Sequence, residues 1–166
     1  MKIYKFIAFF AILMFNVSAY AADTAHVGDY KYWSVYRTAE GVKYMVSYPT
    51  ADEGNFAKRE RPYFMITNFN GTIEVSAYVG YYYKKDSEPK ITVYLSNKDP
   101  KKVENFAFYT KNDMAWNKDA EKDVSLVGFM KNGDKIVITS ESTKNTGAKD
   151  TYSLDGFSAA YNEIMK

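Results

Sequence analysis

Tyr78, Tyr82 and Tyr94 are the residues whose type and spacing carry the clearest chemical signal in this chain, and that chemistry is binding. An alternation from Thr72 to Lys84 sets Tyr78 and Tyr82 on one face with Glu74, Ser76 and Gly80, opposite Ile73, Val75, Ala77, Val79, Tyr81 and Tyr83. The second set reads as a core face and the first as an outer face. Tyr94 shares an outer face with Lys90 and Thr92, opposite Ile91, Val93 and Leu95. An outward row of tyrosines can stack on sugar rings or anchor a peptide or protein, because the ring is apolar while its hydroxyl keeps a hydrogen bond. These three residues are the candidate binding surface. The competing reading is that a second layer of structure covers them.

Catalytic candidates are fewer. The chain has no cysteine, which removes thiolate nucleophiles, thiol redox work and cysteine-ligated zinc. Its one histidine, His26, lies in a stretch that reads as a flexible lead-in, so histidine-based triads and multi-histidine metal sites are not expected. Carboxylates are plentiful and leave a glycosidase-type pair open, but no pair stands out. Asp113, Asp119, Glu121 and Asp123 lack the ligand spacing of a calcium loop and read as a solvated segment offset by Lys111, Lys118 and Lys122. No phosphate-cradling glycine loop and no S-x-x-K element in a helix is found. No cofactor and no metal is expected.

The amino terminus reads as an export signal. Lys2 and Lys5 precede an uncharged apolar run from Phe6 to Phe15, and Ala19-Tyr20-Ala21 is a small-x-small cleavage site with Ala22 as the mature start. The run is too short for a spanning helix. The sequence therefore predicts a signal peptide over 1–21, a single domain over 22–166, a periplasmic or secreted location, and no transmembrane segment in the mature chain. Cleavage removes two lysines and no acid, leaving 20 basic residues against 20 acidic ones. A neutral domain has no global field for nucleic acid or an anionic membrane. The doublets Lys84-Lys85 and Lys101-Lys102 have acids close by and read as solvated faces.

Short alternations separated by turn signals predict an all-β sandwich. Strands are expected at Tyr32–Arg37, Val42–Tyr48, Pro62–Asn68, Thr72–Lys84, Lys90–Ser96, Val103–Thr110, Lys135–Ser142 and Asp150–Ser153. Asn70-Gly71 predicts a tight hairpin turn, and Glu40-Gly41 a weaker one. Gly80 inside the long strand marks a bulge that bends it across two sheets. Residues 22–30 read as a polar leader, and Ser47–Arg61 as a mobile loop. Two short helices are expected, at about 120–132 and 155–165. The first carries a stripe of Val124, Val127 and Met130 with Gly133 in a left-handed stop. The second is capped by Ser153 or Asp155 and carries Phe157, Ala160, Tyr161 and Ile164 on one stripe.

The stretch Met130-Lys131-Asn132-Gly133, then a strand, then Tyr152-Ser153-Leu154-Asp155-Gly156-Phe157 resembles the closing signature of the invasion-associated locus B family of exported bacterial proteins. Trp33-Ser34-Val35, Arg61-Pro62-Tyr63, Val79-Gly80-Tyr81 and Ala115-Trp116 fit the same pattern over the rest of the mature chain. The resemblance implies an immunoglobulin-like β-sandwich with appended helices and a place at the cell envelope. It supplies no catalytic residues. Family members commonly carry cysteines near the first-strand tryptophan and in the next strand; Tyr36 and Tyr44 or Met45 stand there instead. Within the closing motif, Tyr152, Ser153, Leu154, Gly156 and Phe157 read as structural: Tyr152 and Phe157 are placed to staple the helix start if Ser153 is the cap, and Gly156 permits close backbone approach. The functional expectation is a non-enzymatic binding protein whose partner is an envelope protein or glycan. A small carboxylate-based hydrolase and an edge-pairing structural protein are the alternatives.

Overall fold

The structure is a computed structural model that describes residues 24–95 and 103–166. The expected signal peptide over 1–21, its Ala19–Ala22 cleavage site and the Lys101-Lys102 doublet lie outside the described residues. The chain runs β1 (Ala25–Tyr30), β2 (Trp33–Arg37), β3 (Lys43–Ser47), β4 (Ala51–Gly54), β5 (Tyr63–Phe69) and β6 (Thr72–Tyr78). It continues through β7 (Lys90–Leu95), β8 (Val103–Ala107), β9 (Tyr109–Lys111), β10 (Met114–Trp116), α1 (Ala120–Met130), β11 (Gly133–Glu141), β12 (Gly147–Ser153) and α2 (Phe157–Ile164).

The strands form two antiparallel sheets. One is seven-stranded, in the order β1-β2-β3-β5-β6-β10-β9; the other is five-stranded, β4-β12-β11-β7-β8. Alternation decides which side chains meet between them. Trp33, Val35, Met45, Phe64, Ile66, Val75 and Ala77 of the first sheet bury against Ile91, Val93, Ile136, Ile138 and Tyr152 of the second. This is the all-β sandwich with two short helices that the alternations predict. Asn70 and Gly71 hold φ of 52° and 97° in the β5–β6 turn, as a tight hairpin between right-twisted strands requires.

Several expectations are corrected. Residues 22–30 contain not only a leader but β1, which pairs with β2 across a bulge at Val27. His26 is therefore held in a strand, with Nε2 2.9 Å from an Asp29 carboxylate oxygen. The Ser47–Arg61 segment contains β4, an edge strand on β12, so it is anchored rather than free. On α1 the buried stripe is Asp123, Leu126, Val127 and Met130, while Val124 is 62% exposed. Asp123 can begin that stripe because Asn117 Nδ2 donates to it at 2.7 Å and the Val75 backbone donates a further hydrogen bond. Gly133 does not take a left-handed conformation; it opens β11, where a Cβ would lie 2.7 Å from Leu154 Cδ1. Close packing rather than helix termination explains that glycine.

The closing motif also folds differently from its expected cap. Gly156, at φ 91°, is the N-cap of α2, and neither Ser153 nor Asp155 caps the helix. Ser153 Oγ instead accepts from the Asp155 amide at 3.2 Å. A Cβ on Gly156 would stand 2.0 Å from the Tyr30 carbonyl oxygen, so the approach of α2 to β1 needs a glycine. Tyr152 and Phe157 do not staple the helix start to each other. Tyr152 packs on Phe64 and Phe157 on Trp33, with centroids 5.9 and 5.2 Å apart. The Trp33 indole N–H donates to the Ser153 carbonyl at 3.1 Å.

Candidate functional site

β6 ends at Tyr78, not at Lys84. Gly80 then adopts φ 76° and turns the chain off the seven-stranded sheet, and Tyr83 makes an isolated bridge to Ser142 on the side of the other sheet. Gly80 does mark where the chain crosses between the sheets, but as a break beyond the end of β6 and not as a bulge in a continuous strand. The crossing segment hangs between two turns. On one side Val79 N donates to the Asp113 carbonyl at 3.4 Å and Tyr83 N to the Asn112 carbonyl at 2.8 Å. On the other, Thr143 N donates to the Tyr82 carbonyl at 3.0 Å and Lys84 N to the Glu141 carbonyl at 2.9 Å.

The segment 55–62 lies across this crossing and is clamped to it. Arg59 is the clamp. Its Nε donates to the Val79 carbonyl at 2.8 Å, and its two terminal nitrogens reach both Asp150 oxygens at 2.8 and 2.5 Å. Its guanidinium carbon sits 5.2 Å from the Phe56 ring and 5.3 Å from Tyr81, two rings that stack on each other at 4.7 Å. The Arg59 side chain is 10% exposed and that of Asp150 is fully buried, so the pair ties the loop to β12 in the interior. Burial pushes the Asp150 carboxyl up, opposed by the hydrogen bonds and charge of Arg59. Burial also works against the Arg59 charge, but Asp150 more than offsets it and holds the guanidinium above its ordinary range. Glu60 N donates to the Gly80 carbonyl at 3.2 Å, and a Cβ on Gly80 would fall 2.1 Å from the Glu60 carbonyl oxygen.

Between this loop, the crossing segment and the two turns lies a cleft of about 670 Å³, within the range of small-ligand sites. Phe56, Tyr78, Tyr81 and Tyr82 supply its aromatic surface; Asn55, Lys58, Glu60, Asp113, Thr143 and Lys144 supply its polar groups. A smaller cleft of about 310 Å³, lined by Asp52, Arg59 and Arg61 among others, shares Glu60 with it.

Two of the three tyrosines singled out by spacing therefore meet in one place. Tyr82 is 62% exposed. Tyr78 is half-buried: it stacks on Tyr63 at 5.0 Å and donates its hydroxyl to Glu60. That hydrogen bond raises its pKa to about 12, with burial adding to the shift, so Tyr78 stays a neutral donor at any physiological pH. Tyr94 stands apart on β7, half-buried, with the Lys135 ammonium 5.0 Å from its ring centre. Phe56, Arg59 and Asp150 escaped the sequence reading. Phe56 and Arg59 sit in a segment without periodicity, and Asp150 is a charged residue inside a strand pattern, a signal that could have marked a buried pair.

The buried carboxylates do not converge on a cavity. Asp150 is spent on Arg59, and Asp123 lies on α1. Burial raises Asp123 to about 6 against the pull of its hydrogen bonds from Asn117 and Val75. Among the described residues no group of three or more His, Asp or Glu is placed to hold a metal ion. No described helix is long and apolar enough to cross a membrane. Compared with known proteins, the chain matches no family model, no curated protein and no solved structure.

Proposed function

We propose that this protein is an exported, non-enzymatic component of the bacterial cell envelope, of the invasion-associated locus B type, that acts by binding a saccharide in the Tyr82 cleft. The leader and the closing motif support export and the family reading. One observation carries the binding reading: an exposed tyrosine on a tethered segment stands in a cleft lined by rings and hydrogen-bonding groups, with no Leu, Ile, Val or Met among the described residues that line it. Sugars present C–H faces that lie on aromatic rings and hydroxyls that need donors and acceptors. The cleft's polar groups, Asn55, Lys58, Glu60, Asp113 and Thr143, match the hydroxyls of such a ring. The hydrolase alternative loses ground because the carboxylates shielded from water, Asp150 and Asp123, do not face the cleft.

The mature chain should bind oligosaccharides from an envelope-glycan panel in titration calorimetry. Tyr82→Ala should weaken that binding roughly tenfold or more while leaving the melting temperature unchanged. Absence of binding to every saccharide at millimolar concentration, or equal binding by the variant, overturns the reading. Intact-mass measurement on a periplasmic fraction should find a chain beginning at Ala22; full-length protein in the inner membrane would refute export.

A further inference from the structure

The charges around the cleft are not evenly spread, and we infer from their placement that it selects a saccharide bearing an anionic substituent. The inference rests on the saccharide reading above and narrows it to acidic sugars. Lys58 and Lys144 both line the cleft, and both side chains are exposed. Among the described residues neither ammonium is within ion-pair distance of a carboxylate, whereas Lys84, Lys118 and Lys149 each hold a glutamate at about 3 Å.

The same cleft holds two carboxylates, Glu60 and Asp113. Glu60 accepts the Tyr78 hydroxyl, and Asp113 belongs to the turn bonded to Val79. Lys144 belongs to the opposite turn, whose Thr143 amide holds the Tyr82 carbonyl. The Lys144 turn therefore meets the crossing segment at Tyr82 from one side, and the Asn112-Asp113 turn meets it at Val79 and Tyr83 from the other, with Glu60 on the Tyr78 hydroxyl. A pyranose ring lying on Tyr82 presents its substituents toward Lys144. An ammonium is a compact, strongly hydrated point charge, so this site suits a carboxylate or a phosphate and imposes no planar fork. A neutral sugar would leave both lysines without a counter-charge. A cationic sugar would meet them as like charges.

The test compares tetragalacturonic acid, its fully methyl-esterified form and mannose 6-phosphate, each titrated into the mature chain at 50 and 300 mM salt. The acid should bind at least tenfold more tightly than the ester, and the preference should shrink at the higher salt, because both lysines are exposed. Binding of the sugar phosphate in place of the uronate supports the same anionic site and identifies phosphate as its source. Lys58→Gln and Lys144→Gln should each remove much of the preference with melting temperatures unchanged. If the ester binds as tightly as the acid and Tyr82→Ala abolishes both, the saccharide site stands and the anionic selection is overturned. If the acid binds but neither lysine variant weakens it, the inference is likewise overturned. If nothing binds, both readings fall together.

Discussion

Replacing Arg59 by Met tests whether a single buried ion pair holds the cleft loop. Methionine keeps most of the packing volume against Phe56 and Tyr81 but removes the three hydrogen bonds to Val79 and Asp150. It leaves a fully buried carboxylate facing no cation. Breaking one side of such a pair costs about 3–5 kcal/mol, which for a chain of this size lowers the melting temperature by roughly 10 °C or more. The pH dependence is the sharper readout. Burial already raises Asp150, and losing Arg59 removes the charge that opposes the shift. A carboxyl raised in the folded state binds a proton there that the unfolded chain releases. Its variant is therefore most stable below the unfolded pKa of about 4 and loses stability as pH rises through the folded value. The Arg59→Met deficit should be small at pH 4.5 and largest at pH 8. Asp150→Asn strands a guanidinium that does not titrate in this range and also removes the raised carboxyl, so its deficit should shrink as pH rises, opposite in sign to that of Arg59→Met. Replacing both residues by apolar ones should cost less than the sum of the single changes. Urea denaturation at several pH values measures all of this. Single-variant losses below about 1 kcal/mol, or identical pH profiles for the two, would refute the clamp.

Two further outcomes follow from burial. Phe157 is 1% exposed against Trp33 and Tyr161, so Phe157→Ala should cost about 3–5 kcal/mol in urea denaturation and loosen α2; an unchanged midpoint would mean that α2 does not depend on this ring. Asp123, raised to about 6, stabilises most below pH 4 and loses that contribution as pH climbs from 4 to 6, so Asp123→Asn should gain on the wild type between pH 4 and pH 7; a constant difference across that range would contradict the burial argument.

Much of the β framework was legible because alternation is a local property. Residues two apart share a face whatever lies across the core, so the strands around Trp33, Met45, Phe64, Val75, Ile91 and Ile136 could be placed from spacing. Asn70-Gly71 declared its turn for an equally local reason: both residues tolerate the positive φ that the turn needs. Where local signals competed, tertiary contacts decided. Val124 fits a helical stripe on paper, but Asn117 and the Val75 backbone satisfy Asp123 and let the stripe rotate onto the carboxylate. Ser153 and Asp155 are better capping residues than Gly156 by propensity. The closeness of Tyr30 to α2 nevertheless demands a residue without a Cβ at the cap.

The sequence by itself determined the layer architecture, the hairpin register at Asn70-Gly71, and the exclusion of thiol and multi-histidine chemistry, because these depend on residue type and short-range spacing. Spacing marked Tyr78 and Tyr82, but the cleft around them was decided by the tertiary structure. Arg59 and Asp150 are 91 residues apart and meet only when the two sheets close on each other. Tyr82 becomes a cleft residue only because Gly80 breaks β6 and carries the chain between the Asp113 and Lys144 turns. Contacts of that kind carry no periodic signature, since each is a single long-range pairing whose loop-closure cost is met only by the packing of the whole sandwich.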